Sequence, residues 1–381
     1  SCDDHMTCPS TQEEDKMLRF KSFHFFVLLF SISSTLMRRR KFIFSTAATL
    51  AATPLYARAN RPHIRIGQIG LAHPHSLGKL NAIRSLPDTY DLVGVVEPDL
   101  SLRKRAKGVN FISLDQLMNA KGLEAVAIET RVNDLVTTAL PIVKSGKHIH
   151  LDKPAGPALA PFKKLLGLAE QQRLTVQMGY MLRYNPAFSF MYKAVGEGWF
   201  GEIMEIDAMM GKKAGDDMRK ELAEFRGGGF FELACHILDS TIHLLGKPQT
   251  VDAFNLRTRE KEGDSFADNQ LAILKFKKAT ACLRCNHNDP FGFPRRRFNI
   301  AGTRGGMEIQ QLESGRFILN LDQARGKFKK GSQTVQLKGG RSYTDEFADL
   351  AKVIRGEKKL AWSYQHDLMV HETLLQICGM K

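Results

Sequence analysis

From residue 62 the chain alternates short apolar runs with segments of helical spacing. "HIRIGQIGLA" (63–72) is an apolar run that ends on glycine. "PHSLGKLNAIRSLP" follows with helical periodicity, Pro74 standing at a first-turn position. "YDLVGVVEPD" (90–99) is a second strand, ending at Glu97, and "SLDQLMNA" (113–120) a short helix opened by a serine cap. "LEAVAIET" (123–130) is a third strand, and "VNDLVTTALPIVKSG" a helix closed by Gly146. "KHIHLDKP" is a fourth strand, "ALAPFKKLLGLAEQQR" a helix and "LTVQMGYM" a fifth strand. Strands and helices alternating at this spacing predict an α/β fold, a doubly wound parallel sheet over residues 62–182.

After Tyr184-Asn185-Pro186 the texture changes. A helix ("AFSFMYKAVGEG") and a strand ("EIMEIDAMMG") lead through a charged connection to Gly227-Gly228-Gly229 and an apolar helix, "FFELACHILDSTIHLLG". Strand patterns then follow one another without helices: 249–257, 267–277, 279–287, 296–302, 305–311 and 315–321. That is an antiparallel pattern, so residues 183–381 read as an α+β domain closed by two helices, "TDEFADLAKVIRG" and "SYQHDLMVHETLLQICG".

Residues 1–59 are expected to lie outside the fold. "MRRRKFIFSTAATLAATPLYARA" (37–59) has a basic start, an apolar, small-residue centre and a small-x-small end, the form of a secretory signal. Arg39-Arg40-Lys41-Phe42-Ile43 resembles a twin-arginine export signal, which moves folded proteins. A periplasmic address and a tightly held cofactor follow from it. The apolar stretch is too short, and too rich in Ala and Thr, to span a bilayer well, so no membrane partner is expected for the mature chain.

The 381 residues carry a net charge of +15, and the leader holds only 8 of the 55 basic and 5 of the 40 acidic residues, so the remainder stays basic. The basic residues are scattered in short runs such as Arg295-Arg296-Arg297, with no nucleic-acid motif among them, which argues against a nucleic-acid partner. Cys235, Cys282, Cys285 and Cys378 make no disulfide framework. Cys282 and Cys285 point to opposite faces of a strand, a poor zinc half-site.

Three stretches carry candidate chemistry. The first βα turn reads Gly70-Leu71-Ala72-His73-Pro74-His75, a G-x-G-x-x-G loop with Ala72 and His75 in the second and third glycine positions. It follows a strand and opens a helix whose N-terminus can hold phosphate. Glu97 ends strand two, where an acid can accept ribose hydroxyls and favour NAD, while Arg103 and Lys104 keep NADP open. In the helix after the three glycines, Glu232, His236, Asp239 and His243 are spaced along one face. That face is either a general base with an orienting acid or the polar stripe of an amphipathic helix. One helix rarely supplies four ligands to one ion, and no metal ligand is assigned. Lastly, "SGKHIHLDKPAG" (145–156) ends a buried strand on Asp152-Lys153-Pro154, a charge that is costly to bury without a role.

Gly67 to His75, Val95 to Asp99, "SGKHIHLDKPAG", Arg183 to Pro186, "GGGFFELACHILDSTIHLLG" and "RRFNIAGTRGGMEI" together resemble the glucose–fructose oxidoreductase / inositol dehydrogenase / rhizopine-catabolism (Gfo/Idh/MocA) family over roughly residues 62–378. The resemblance implies a Rossmann-type domain binding NAD, or NADP, through Gly70, Ala72, His73, Pro74, His75, Glu97, Thr130, Asn133, Asp152, Lys153 and Pro154. It implies a second domain whose large open antiparallel sheet carries the substrate, with Arg183, Tyr184 and Asp239 as contacts. The family's Glu-Lys-Pro appears as Asp152-Lys153-Pro154. Its active-site lysine maps to Lys153, its histidine to His236 and the acid four before it to Glu232, which would orient His236.

The leading expectation is an NAD(P)-dependent oxidoreductase of a sugar or polyol, a homo-oligomer by family analogy. Lys153 would hold the substrate hydroxyl and His236 take its proton. Two alternatives stay open: an NAD-dependent glycoside-cleaving or epimerising enzyme working through a transient keto sugar, with metal assistance from the polar stripe of the 230–243 helix as an option, and a non-catalytic exported sugar-binding protein.

Overall fold

The apolar runs of the first half become five parallel strands. The computed structural model describes residues 62–380 apart from 225, 339, 341 and 342, so the leader and export signal read at 1–59 fall outside the described residues. In chain order the elements are β1 (Ile64–Ile69), α1 (Ser76–Arg84), β2 (Tyr90–Val96), α2 (Leu100–Arg103), α3 (Leu114–Met118), β3 (Leu123–Ile128), α4 (Leu135–Lys144), β4 (His148–Leu151), α5 (Leu159–Gln171) and β5 (Val176–Met178). The sheet order is β2-β1-β3-β4-β5, all parallel. The order reverses direction between β1 and β3, the place where doubly wound sheets open a crevice for ligands.

The second half contributes α6 (Pro186–Gly196), β6 (Ile203–Gly211), α7 (Asp216–Leu222), a turn of π-helix (Phe230–Ala234), α8 (Cys235–Leu245), β7 (Thr250–Leu256), β8 (Asn269–Lys275), β9 (Thr280–Asn286), β10 (Arg297–Gly302), β11 (Gly305–Gln310), β12 (Arg316–Leu321), β13 (Gly331–Gln336), α9 (Thr344–Ile354) and α10 (Tyr364–Ile377). Eight strands pair in the order β13-β12-β11-β10-β6-β9-β8-β7. Buried and exposed side chains alternate along β8, β9 and β12, as a sheet covered on one face requires. Cys285 is buried and Cys282 half-buried on that alternation, and both are free thiols.

Three features depart from the sequence pattern. β6 and β9 run parallel, with Asp207 opposite Cys282, so the sheet is mixed rather than wholly antiparallel. β13 ("GSQTVQ") and α7 ("DDMRKEL") have too few apolar positions to show a period; β13 pairs with β12, and α7 is held by Arg219 on Asp264 and Asp268. α1 starts at Ser76 rather than at Pro74, because a turn from the His73 carbonyl to the Ser76 N–H comes first.

One apolar core joins both sheets. It runs from Ile69, Val126 and Ile128 through Phe188 and Phe231 to Phe298 and Leu319. The C-terminal helices return to the first half. Phe347 and Leu350 of α9 pack against Ile64, Ile66 and Ala82, and the Tyr90 hydroxyl donates to the Phe347 carbonyl at 2.7 Å. α9 thereby covers one face of the parallel sheet beside α1.

Candidate active site

The β1–α1 turn starts at Gly70, whose φ of +94° suits glycine. A Cβ there would sit 2.7 Å from the Glu129 carbonyl and the Thr130 nitrogen, so the turn passes β3 at backbone contact. Most donors of the turn are used within the protein. The Gly70 N–H bonds the Val96 carbonyl, the His73 N–H the Glu129 carbonyl and the His75 N–H the His73 Nδ1. Pro74 has no N–H, so among the described residues of the turn only Ala72 keeps one for a ligand.

Glu97 departs from its expected role. It is 4% exposed, and its two oxygens accept from the Leu71 N–H (2.7 Å) and the Asp99 N–H (2.9 Å). Its carboxylate clamps the turn instead of projecting toward a ribose. Asp99, two residues on, is exposed and lines the neighbouring cavity. That cavity, of about 270 Å³, opens over the β1/β3 switch and is walled by Ala72, His73, Pro74, Asp99, Arg105 and Asn133. It continues to Glu232, with Leu222 of α7 on its far side.

A dinucleotide fits this chemistry in part. Arg105 and Arg131 supply the cationic groups that the short-handed loop lacks, and Ala72 supplies a backbone donor. The volume falls just short of the 300–1,000 Å³ usual for ligand pockets. Arg131 meets Glu224 at 3.8 Å across the opening, an exposed pair that must part to admit a whole dinucleotide. Of the other residues assigned to the cofactor, Thr130 is half-buried at the end of β3, while His75, Asp152, Lys153 and Pro154 are buried. The Lys153–Pro154 bond is cis.

Lys153 ends β4 at 1% exposure, and its ammonium donates to the main-chain carbonyl of Glu232. Burial pulls its pKa down, but the neighbouring acidic groups Cys235, Glu232 and Asp152 prevail and hold it above the usual lysine range. His236, also 1% exposed, lies in α8 between the rings of Tyr180 (5.9 Å) and His75 (6.2 Å). Burial, and after it the Lys153 charge, push the imidazole pKa well below 6.5. A charged ammonium and a neutral imidazole therefore stand within each other's field, and the Nδ1 of His236 has no hydrogen-bond partner among the described residues. This is an oxygen-binding cation beside a proton acceptor.

Glu232 does not orient His236. Its carboxylate bonds Lys212 (3.1 Å) and His287 (3.3 Å). The cause is local: Glu232 lies in the π-helical turn, whose wider winding breaks the i, i+4 alignment that a regular helix would give. Burial alone would raise the Glu232 pKa, but Lys212, His287 and Lys153 hold it well below its ordinary value. Lys212 and His287 escape a reading of the sequence. They follow β6 and β9, and only the pairing of those strands, Gly211 opposite Asn286, makes them neighbours.

The residues assigned to substrate are used elsewhere. Arg183 is 3% exposed and bonds Asp239 at 3.0 and 2.7 Å and Asp367 at 2.5 Å, while His366 Nε2 meets Asp239 at 2.8 Å. Asp239 is fully buried in this cluster, which joins α8 to α10. Tyr184 accepts from Gln177 (2.8 Å) and donates to Asp349 (3.2 Å). His243 packs its ring on Tyr192 at 4.6 Å. None of the three residues assigned to substrate, nor His243, lines the cavity.

Comparison with known proteins bears on this arrangement. Residues 188–308 match the GFO/IDH/MocA C-terminal domain. The uncharacterized oxidoreductase YhhX of Escherichia coli is 28% identical over 205 residues, which span 52% of this chain and 56% of YhhX. A scyllo-inositol 2-dehydrogenase (NAD(+)) of Bacillus subtilis is 24% identical over 65% of this chain and 72% of its own. Among solved structures, the WlbA dehydrogenase of Bordetella pertussis, in complex with NADH and UDP-GlcNAcA, superposes with a TM-score of 0.68 at 17% identity, covering 83% of this chain and 95% of that one. The matches define an oxidoreductase class built on a parallel nucleotide-type sheet and a broad second sheet. The match over residues 188–308 supports the Gfo/Idh/MocA family for this chain, and the solved structure, at 17% identity, shows the likeness of fold.

Proposed function

We propose that the chain is a nicotinamide-dependent oxidoreductase acting on a CH–OH group of a sugar or polyol. The observation that carries this reading is the buried pair Lys153 and His236, one held charged and the other neutral, set behind the wall of the cavity at the switch point, where the lining residues His73 and Glu232 contact Lys153. The Lys153 ammonium holds the substrate oxygen and stabilises negative charge growing on it, a role worth about 3–4 kcal/mol for single donors in other enzymes. His236 takes the hydroxyl proton, for which its low pKa leaves it ready at neutral pH. Ala72, Asn133, Arg105 and Arg131 would hold the dinucleotide, whose nicotinamide would supply the acceptor for the hydride leaving the same carbon, so that the alcohol would become a carbonyl. Glu232, fixed by Lys212 and His287, offers its carbonyl to Lys153 and so aims the ammonium.

The periplasmic address read from residues 37–59 belongs to the same proposal. A cofactor scarce outside the cytoplasm must stay bound through catalysis, and the cavity closed by Arg131 and Glu224 is consistent with retention. Denaturing the purified protein and assaying the released nucleotide, with calorimetric titration of NAD and NADP into the native chain, tests the reading. Bound or bindable nicotinamide dinucleotide is expected. A protein that neither releases nor binds one is not this enzyme.

A further inference from the structure

Beneath the β1–α1 turn lies a cluster that the proposed reaction does not use. His73 Nδ1 is 3.3 Å from Asp152 Oδ2, and His75 Nδ1 is 3.2 Å from both Asp152 oxygens. One ligand atom from each of the three residues lies within 4.8 Å of the others. Glu129 Oε2 is 3.9 Å from His73 Nδ1. Exposure is 3% for His73, 8% for His75 and 0% for both acids.

Charge is unbalanced there. The nearest cation, Lys79, is closed on Glu346, which also takes His150 Nε2 at 2.8 Å. Lys153 turns its ammonium to the Glu232 carbonyl. Asp152 and Glu129 remain side by side next to the His73 and His75 imidazoles, with His150 Nδ1 3.7 Å from Glu129. No donor among the described residues reaches either Glu129 oxygen, although both are buried. Two carboxylates in such a place need a compensating charge or a proton.

We propose that His73, His75, Asp152 and Glu129 form a binding site for a divalent first-row transition metal ion. Four ligands about 2.1 Å from a tetrahedral ion stand about 3.4 Å apart, close to the separations from Asp152 to the two imidazoles; Glu129, 3.9 Å from His73, lies outside that three-residue cluster and must swing inward to become the fourth ligand. Two imidazoles and two carboxylates suit Zn²⁺, Fe²⁺ or Mn²⁺ better than the oxygen-only sets of Ca²⁺ and Mg²⁺. His73 Nε2 lies 3.1 Å from the Lys153 carbonyl. Donation to that carbonyl leaves the Nδ1 lone pair for the ion and ties the ion's position to the active-site lysine. The long His75 N–H contact to that same Nδ1, at 3.2 Å, gives way when the ion binds. His73 stands on the cavity wall, which is the entry path. The site also accounts for the departure from the glycine motif, since His75 occupies the third glycine's position.

The competing arrangement is a single proton shared by Glu129 and Asp152, which would also serve the unpartnered Glu129 oxygens. Stripping the full chain with a chelator and titrating Co²⁺ against visible d–d absorption, with Zn²⁺ competition, separates the two. The metal site predicts one ion per chain and a higher melting temperature when loaded. Glu129→Gln keeps the side chain's shape and mimics its protonated form. It is expected to fold normally and to bind Co²⁺ at least about 10-fold more weakly, as is His75→Asn. Wild-type protein that gains neither absorption nor thermal stability, or Glu129→Gln protein that binds as tightly as wild type, overturns the proposal. These readouts do not involve nicotinamide turnover, so they stand or fall apart from the proposed reaction.

Discussion

Replacing Arg183 by methionine separates a structural from a substrate-binding arginine. The guanidinium makes three hydrogen bonds to Asp239 and Asp367 and stacks within 5 Å of the Tyr180 and Trp362 ring centroids, at 4.8 and 4.9 Å. Methionine retains much of the apolar stem but leaves two buried carboxylates without their shared cation, with only His366 still on Asp239. Removing one partner from a buried ion pair costs about 3–5 kcal/mol. For a folded unit of about 320 residues unfolding with about 2.1 cal/mol/K per residue, a loss of about 4 kcal/mol lowers Tm by about 6 °C. Asp367 already sits above its ordinary pKa through burial, so in the variant it takes up a proton readily and the loss shrinks as pH falls toward 5. Urea unfolding followed by circular dichroism at pH 7 and pH 5 reads both effects. Loss of less than about 1 kcal/mol at pH 7, together with a raised KM, would mean that Arg183 meets substrate, and the assignment made from the structure would be wrong.

Three further changes test separate parts of the structure. Gly70→Ala puts a Cβ into the Glu129 backbone at a φ that alanine avoids, and is expected to cost about 2–3 kcal/mol in urea unfolding and to weaken nucleotide binding. His371, 1% exposed, has a folded pKa of about 4 against 6.5 unfolded because burial disfavours its charge. The unfolded chain therefore binds the proton first. This stability is present above pH 6.5 and lost as pH falls, by about 2 kcal/mol at pH 5, so a His371→Leu protein should lose that much less between pH 7 and pH 5. Glu232→Gln removes one of the groups that hold the Lys153 pKa up, so the alkaline limb of the pH–rate profile should move to lower pH.

The parallel half was open to reading because its strands are short, mostly apolar runs that alternate with segments of helical spacing. Strands such as β3, buried along nearly its whole length, leave little ambiguity. Lys153 and His236 also stood out, since each places a polar group in an apolar context. What stayed hidden depends on contacts between distant segments. Glu97 looks like a free strand-end acid until the Leu71 N–H is found on it. Glu232 and His236 share a helix face only if the helix is regular, and the π-turn at Phe230–Ala234 removes that condition. Lys212 and His287 become partners of Glu232 through the β6–β9 pairing, a parallel contact inside an otherwise antiparallel sheet. Arg183 and Asp239 carry no local sign that Asp367, near the end of the chain, completes their cluster.

The central claim is that the Lys153 ammonium stabilises charge on a substrate oxygen beside a bound nicotinamide. It is tested most directly by single-turnover reduction of the nicotinamide, followed by its absorbance, in wild-type and Lys153→Met protein with the sugar or polyol that reacts fastest in a screen. The account predicts nucleotide binding within a few-fold of wild type and a rate of hydride transfer lower by about 10²–10³-fold. A Lys153→Met protein that reduces its nicotinamide at the wild-type rate would contradict it.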